Sequence, residues 1–166
     1  MIKGERRNAM AEELEATQYL TFKLDEEVFA LDVAKVREIL EESSITKVPQ
    51  TPDFMRGVIN LRGSVVPVID MRLKFGMSRT EKTVNTCIIV VEVQLEDEVI
   101  VLGALADSVQ EVIEMEPSQI EAAPHIGSRL NTDFIRGMGK QDSNFVIILD
   151  IDKVFNSDEL ASIAEQ

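Results

Sequence analysis

Apolar and polar positions alternate with a period of two along most of this chain. QYLTFKL (18–24) alternates in this way and VFALDV (28–33) follows it after an acidic triplet. GVINL and SVVPVID lie on either side of Arg62 and Gly63, and TCIIVVEVQL, VIVLGALA and NFVIILDI come later. Short β-branched runs separated by turn residues at regular spacing predict a mainly β protein of the small-barrel kind. The acidic triplets 25–27 and 96–98 read as hairpin turns. Pro67 has no amide hydrogen to give to a ladder, so its strand is predicted to be an edge or to carry a bulge.

Helical spacing is confined to short pieces. Val33, Val36 and Leu40 fit a single turn between strands. Thr51 or Asp53, Asp70 and Asp150 are placed to cap short helices, and Asn156 or Ser157 to cap a last amphipathic helix.

The pattern repeats itself. Residues 51–75, TPDFMRGVINLRGSVVPVIDMRLKF, align without a gap onto 131–155, NTDFIRGMGKQDSNFVIILDIDKVF. Phe54 matches Phe134, Arg56 matches Arg136, Gly57 matches Gly137, Asp70 matches Asp150 and Phe75 matches Phe155. Upstream, LDEEVFALDVAKVREIL (24–40) matches LEDEVIVLGALADSVQEVI (95–113) with two extra residues in the later copy. The expected organisation is a flexible tail over 1–17, one domain over 18–155 built from two related halves (18–75 and 86–155), and a C-terminal helix or tail over 156–166. The polar segment 76–85 joins the halves.

The duplication also acts as an internal control. What both copies keep is what the unit's fold requires, so Asp70 and Asp150 read as structural caps, and Arg56 and Arg136 as structural too. Gly57 and Gly137 allow a close turn or leave a surface open for docking. Arg62 differs: its equivalent is Asp142, and the quartet NLRG becomes KQDS while the flanking strands persist. The fold therefore does not demand a guanidinium there. A rigid fork of donors held between two strands suits a contact with a carboxylate-bearing partner.

Composition narrows the function classes. The chain has 166 residues, 45% hydrophobic and 28% charged, and a net charge of −13. That balance argues against a non-specific nucleic-acid or anionic-membrane surface, which needs clustered Lys and Arg. Cys87 is the lone cysteine, so neither an internal disulfide nor a cysteine zinc cage can form. It lies in an apolar strand, as an inert buried thiol would. No apolar run approaches a membrane span, and the N-terminus lacks the layout of a secretory signal, so a cytoplasmic protein is expected. His125 is the single histidine and has no neighbouring ligand spacing. The carboxylate clusters lack the spaced oxygens of a calcium loop. No nucleophile or phosphate motif occurs, and no cofactor is expected. A small-molecule-binding or hydrolytic β-barrel using His125 is the alternative to a binding protein.

The chain resembles the CheW coupling proteins of bacterial chemotaxis from about 18 to 160. The resemblance rests on LDEEVFALDVAKVREI, on TPDFMRGVINLRGSVVPVIDMRLKF with its GVxNLRGxxxPxxDxR core, on DSVQEVIEMEPSQIEAAP, and on FIRGMGK. It implies two SH3-like five-stranded barrels with interleaved strands, short helices and a shared core. It implies scaffolding without catalysis: joining chemoreceptor cytoplasmic hairpin tips to the regulatory domain of a CheA-type histidine kinase, and building arrays at the inner face of the membrane. The resemblance places Val36, Glu38, Gly57, Arg62 and Ile88 at the receptor contact, with Glu38 and Arg62 pairing across it. Val65 and Val66 fall near one kinase contact, and Glu121 and Ile126 near another. The isolated chain is expected to be monomeric, with neither nucleic acid nor direct membrane insertion among its partners.

Overall fold

The computed structural model describes residues 16–41, 44–122 and 133–164, and the chain is mainly β. In the first half, β1 (Thr17–Leu24) and β2 (Glu27–Asp32) form a hairpin. A single 3₁₀ turn (Val33–Lys35) leads into β3 (Val36–Glu41). A second hairpin, β4 (Met55–Leu61) and β5 (Ser64–Asp70), then runs into a one-turn helix, α1 (Met71–Lys74). The second half repeats the order with β6 (Cys87–Leu95), β7 (Glu98–Ala106), β8 (Ser108–Met115), the short β9 (Ile120–Glu121), β10 (Ile135–Gln141) and β11 (Asn144–Leu149). The chain then passes through a 3₁₀ turn (Ile151–Lys153) into α2 (Ser157–Ala164). Both acidic triplets sit at hairpin turns, with Leu24 opposite Glu27 and Leu95 opposite Glu98.

The two sheets do not follow the two halves. One has the order β3-β6-β7-β5-β4 and the other β8-β1-β2-β11-β10-β9. Each half's first hairpin is thus inserted between strands of the other half, β6 and β7 between β3 and β5, and β1 and β2 between β8 and β11. The joins on one side are parallel pairings, β5 with β7 and β2 with β11. The bridge of Thr46 to Val58 in the first sheet plays the part of β9, which pairs with Met138 and Gly139 in the second. Ladder register also corrects the upstream alignment. Leu40 faces Ile88, and Met115 faces Thr17, the residue corresponding to Ile88. Leu40 therefore matches Met115 rather than Ile113, and both β3 and β8 carry a bulge where they pair with β6 and β1.

Insertion explains why the central strands are apolar on both faces. In β6, Ile88 and Val90 point into a small core with Ile59, Val66, Val68 and Leu105. The intervening Ile89, Val91 and Val93 point into a larger core shared by both sheets. A third cluster, Tyr19, Ala30, Met115, Val146 and Ile148, fills the second sheet. Two-sided burial of this kind turns an alternating strand into a continuous apolar run. The duplicated phenylalanines close the shared core by packing across halves. Phe75 stacks on Phe134 at 4.8 Å between centroids, and Phe54 meets Phe155 at 5.9 Å.

Two local expectations are corrected. β5 is not an edge, because it lies between β4 and β7, and the bulge of its hairpin is on β4, between Met55 and Gly57. Pro67 is tolerated because it faces Val58, whose own N–H and C=O bond Thr46, while the parallel pairing with β7 begins one residue later at Val68. Residues 51–54 form no helix. The Thr51 hydroxyl instead donates to the Val48 carbonyl at 3.0 Å. The other caps form as expected: Asp70 caps α1 through Leu73 N, Asp150 accepts from Asp152 N, and Asn156 and Glu159 bond reciprocally at the start of α2.

Cys87 lies at the shared core, 8% exposed. Loss of hydration on burial is the main cause that pushes its thiol up from the ordinary value, with the charge of Asp107 adding to it and a contact from the Val109 backbone opposing it. A neutral, shielded thiol is a poor nucleophile. An aromatic disulfide reagent should therefore label Cys87 slowly in the native protein and fully only in denaturant. Rapid stoichiometric labelling of folded protein would contradict this placement.

Candidate interaction site

The β4–β5 turn is built from two residues, Arg62 and Gly63, between the paired Leu61 and Ser64. Both have positive φ, 53° and 87°, as a tight hairpin of primed type needs. The Asn60 side chain accepts from Gly63 N at 2.8 Å and fixes the turn. Asn, Asp and Gly fill the left-handed position readily, and the sister turn has Asp142 there, φ 55°. An arginine is the less comfortable choice for the backbone, so the reason for it lies in its side chain.

That side chain reaches back over the sheet to Glu38 on β3. Arg62 Nη1 donates to Glu38 Oε2 at 2.7 Å and Nη2 to Oε1 at 3.0 Å, a two-pronged pairing between planar groups. The guanidinium remains 74% exposed and the carboxylate 26%. The hydrogen bond from Arg62 is the main cause that holds the Glu38 carboxyl below the ordinary carboxylate range. Loss of hydration opposes it, and the charges of Arg62 and then Arg37 act in the same direction as the hydrogen bond. The same bond raises the Arg62 guanidinium. Arg37, which pairs with Glu92 at 2.7 Å, lines the same groove of about 500 Å³ with Leu61, Val65 and Val101.

Because the folded carboxyl is more acidic than its unfolded counterpart, the pair's contribution is complete above the ordinary value of 4.5 and is lost as pH falls through the lower folded value. Carbon-13 detection of the Glu38 carboxyl should show a midpoint below 4.5 in the parent and a return toward it in Arg62→Ala. An unchanged midpoint would mean that the fork does not persist in solution.

The other residues anticipated from the sequence divide by exposure. Val36 is partly exposed on β3 beside Glu38, and Val65 is 64% exposed on β5 next to Ser64, the first residue after the turn. Glu121 is exposed on β9 and pairs with Lys140 at 2.7 Å. Gly57, Ile88 and Val66 are inside. Ile88 and Val66 belong to the core of the first sheet. Gly57, φ +144°, lies where a Cβ would come within 2.2 Å of the Thr46 carbonyl oxygen. Gly57 thus serves a close backbone approach beside the β4 bulge rather than the close turn expected, and Gly137 is crowded in the same way by the Glu121 carbonyl. Ile126 and His125 lie outside the described residues, as do residues 1–15 of the expected tail. Sequence reading missed Arg37, although its place directly before Glu38 was a usable signal.

The duplicated acids are structural, as the repeat implied. Asp70 is fully buried and accepts from Arg56 Nη1 (3.2 Å), Thr80 N (3.0 Å), Thr80 Oγ1 (2.8 Å) and Leu73 N (3.3 Å). It anchors α1 and the linker at once. Among the described residues, no group of His, Cys, Asp and Glu is arranged to hold a metal ion, and no helix is long and apolar enough to cross a membrane.

With this geometry in view, the comparisons decide the family. A family model for the CheW-like domain matches residues 18–159. The chain belongs to the CheW-like family. Chemotaxis protein CheW of Klebsiella aerogenes is 34% identical over 93% of this chain and 90% of its own length. Its counterpart in Rhizobium meliloti is 32% identical over 86% and 89%. The crystal structure of the scaffolding protein TtCheW from Thermoanaerobacter tengcongensis superposes with a TM-score of 0.76 at 35% identity, covering 87% of this chain and 95% of that one. The mainly β architecture of two sheets, of five and six strands and each woven from both halves, is thus that of a CheW scaffold. Membership carries the functional class with it: this CheW-like chain is a chemotaxis coupling protein, a scaffold and not an enzyme.

Proposed function

We propose that the chain acts as the adaptor between the cytoplasmic hairpin tip of a chemoreceptor and the regulatory domain of a CheA-type histidine kinase. It would work in the cytoplasm at arrays beneath the membrane. The observation that carries this reading is the Glu38–Arg62 fork. A guanidinium is held over the sheet by a carboxylate, on a turn whose backbone favours another residue, in the copy of the repeat that alone has it. Glu38 orients the guanidinium before a partner arrives, which reduces the ordering cost of binding.

In this reading the receptor helix meets Val36, Glu38 and Arg62, while buried Ile88 and Gly57 shape the ground beneath them. Exposed Val65, supported from inside by Val66, faces the kinase on one side, and the surface near Glu121 and Ile126 faces it on the other. Arginine is among the residues enriched at interface hot spots, and the exposed Val65 beside it adds apolar area for a partner to cover. Co-sedimentation of the full chain with a receptor cytoplasmic fragment and a kinase containing its regulatory domain tests the proposal. The chain should pellet with the receptor fragment and bring the kinase with it. Failure to bind either partner, alone or together, would overturn it.

A further inference from the structure

The repeat places a second groove under the corresponding turn of the other sheet. There Asp142 stands where Arg62 stands in the first copy, Asn144 where Ser64 stands and Phe145 where Val65 stands. The groove, of about 680 Å³, runs between the β10–β11 turn, the β1–β2 turn and β8. Its chemistry is inverted. In the first groove β3 supplies Glu38 and the turn supplies the cation that neutralises it. In the second, the turn supplies an acid; the register counterpart of Glu38 is Ile113, and the carboxylate that β8 brings to the groove is Glu111, from its bulge.

Glu26 and Glu27 of the β1–β2 turn bring the carboxylates lining this groove to four, against the single ammonium of Lys23. Among the described residues, the Glu111 carboxylate accepts from the amide of Gln141, at 3.5 Å. Beside these acids the floor is apolar. Phe145 is 50% exposed, and Met138 and Val28 line the groove with it. A half-exposed phenylalanine in a setting of unneutralised carboxylates is a poor solvent face, because the apolar area and the charges are both better satisfied by a partner that carries the complementary pair.

We propose that this groove docks a basic amphipathic segment of another protein, in which Lys or Arg residues flank apolar side chains. The apolar side chains would cover Phe145, and the cations would meet Glu27, Glu111 and Asp142. A second copy of this chain fits less well, since its net charge of −13 would be brought against four more acids. A metal ion is disfavoured too, because the described acids do not converge on a point. The inference stands on a different face from the Glu38–Arg62 groove and does not depend on the coupling reading. A scaffold with a neutralised groove under one turn and an acidic groove under its counterpart can hold two unlike partners without their competing.

The test is a titration of the full chain, followed by backbone amide NMR, with a designed 14-residue peptide carrying Leu at helical spacing and Lys elsewhere. The same peptide with Glu in place of Lys serves as the comparison. The lysine peptide should shift resonances of the β10–β11 turn and the β1–β2 turn, and bind at least about tenfold more weakly to Phe145→Ser and to Asp142→Arg, which installs the cation of the first turn. Binding should weaken steeply with salt, the glutamate peptide should not bind, and Arg62→Ala should bind like the parent. Both substituted positions are exposed turn or strand-end sites, and melting curves verify that the variants fold. The proposal is overturned if the shifts map to the Arg62 groove, if both variants bind like the parent, or if the face instead supports self-association that Phe145→Ser abolishes.

Discussion

Asp70→Ala should cost the fold about 3–5 kcal/mol, the range for removing one member of a buried ion pair. The substitution removes the acceptor of four hydrogen bonds. It leaves the Arg56 cation, 18% exposed, facing a cavity with the Thr80 amide and hydroxyl. At roughly 2–4 °C per kcal/mol for a chain of this size, the melting temperature should fall by roughly 10 °C. The sister substitution Asp150→Ala is the control. Asp150 bonds Asp152 N at 3.2 Å and has Lys153 at 4.0 Å, so it should lose only about 1 kcal/mol, the usual worth of a cap. Equal losses in the two variants would show that the linker anchored through Thr80 contributes nothing.

Arg62→Ala is expected to do the opposite, leaving the melting temperature within a degree or two of the parent while binding to a receptor fragment falls tenfold or more, an order of magnitude typical of a hot-spot arginine. Arg62→Asn, which supplies the side chain the turn prefers, should melt no lower than the parent and bind as poorly as the alanine variant. Arg62→Lys keeps the charge but cannot form the two-pronged pairing with Glu38, so it should recover only part of the affinity. A double-mutant cycle with Glu38→Gln measures the coupling directly. Full binding by the alanine variant would reduce Arg62 to a surface charge.

How much of this was readable beforehand depends on how local the cause is. Strands, hairpin turns and caps at Asp70, Asp150 and Asn156 are dictated by neighbours in the sequence, and they were legible. The pairing of Arg62 with Glu38 was also anticipated, though through family resemblance, since 24 residues separate the two. What pattern could not supply was long-range. Pro67 looked like an edge residue because nothing local reveals that β7 arrives beside β5 only from Val68 onward. Gly57 was ambiguous because its crowding comes from Thr46 across a bridge. Ile88 and Val66 were placed near contacts through the family resemblance, and the topology adds that their side chains face the core of the first sheet, which no apolar strand residue reveals by itself. The cross-packing of Phe54, Phe75, Phe134 and Phe155 was hidden for the same reason: the repeat shows that the four correspond, and only the topology shows that each packs with the other copy's partner.

The exchange of hairpins has a mechanical consequence. Each sheet is a weave of both halves, so a single break in the linker between α1 and β6 frees neither piece. The two fragments would stay interlocked through the ladders β3·β6, β5·β7, β1·β8 and β2·β11. A pull applied at one face must unzip strands belonging to the other before anything separates. In a scaffold, such a splice keeps tension on one side from being absorbed as slack between halves.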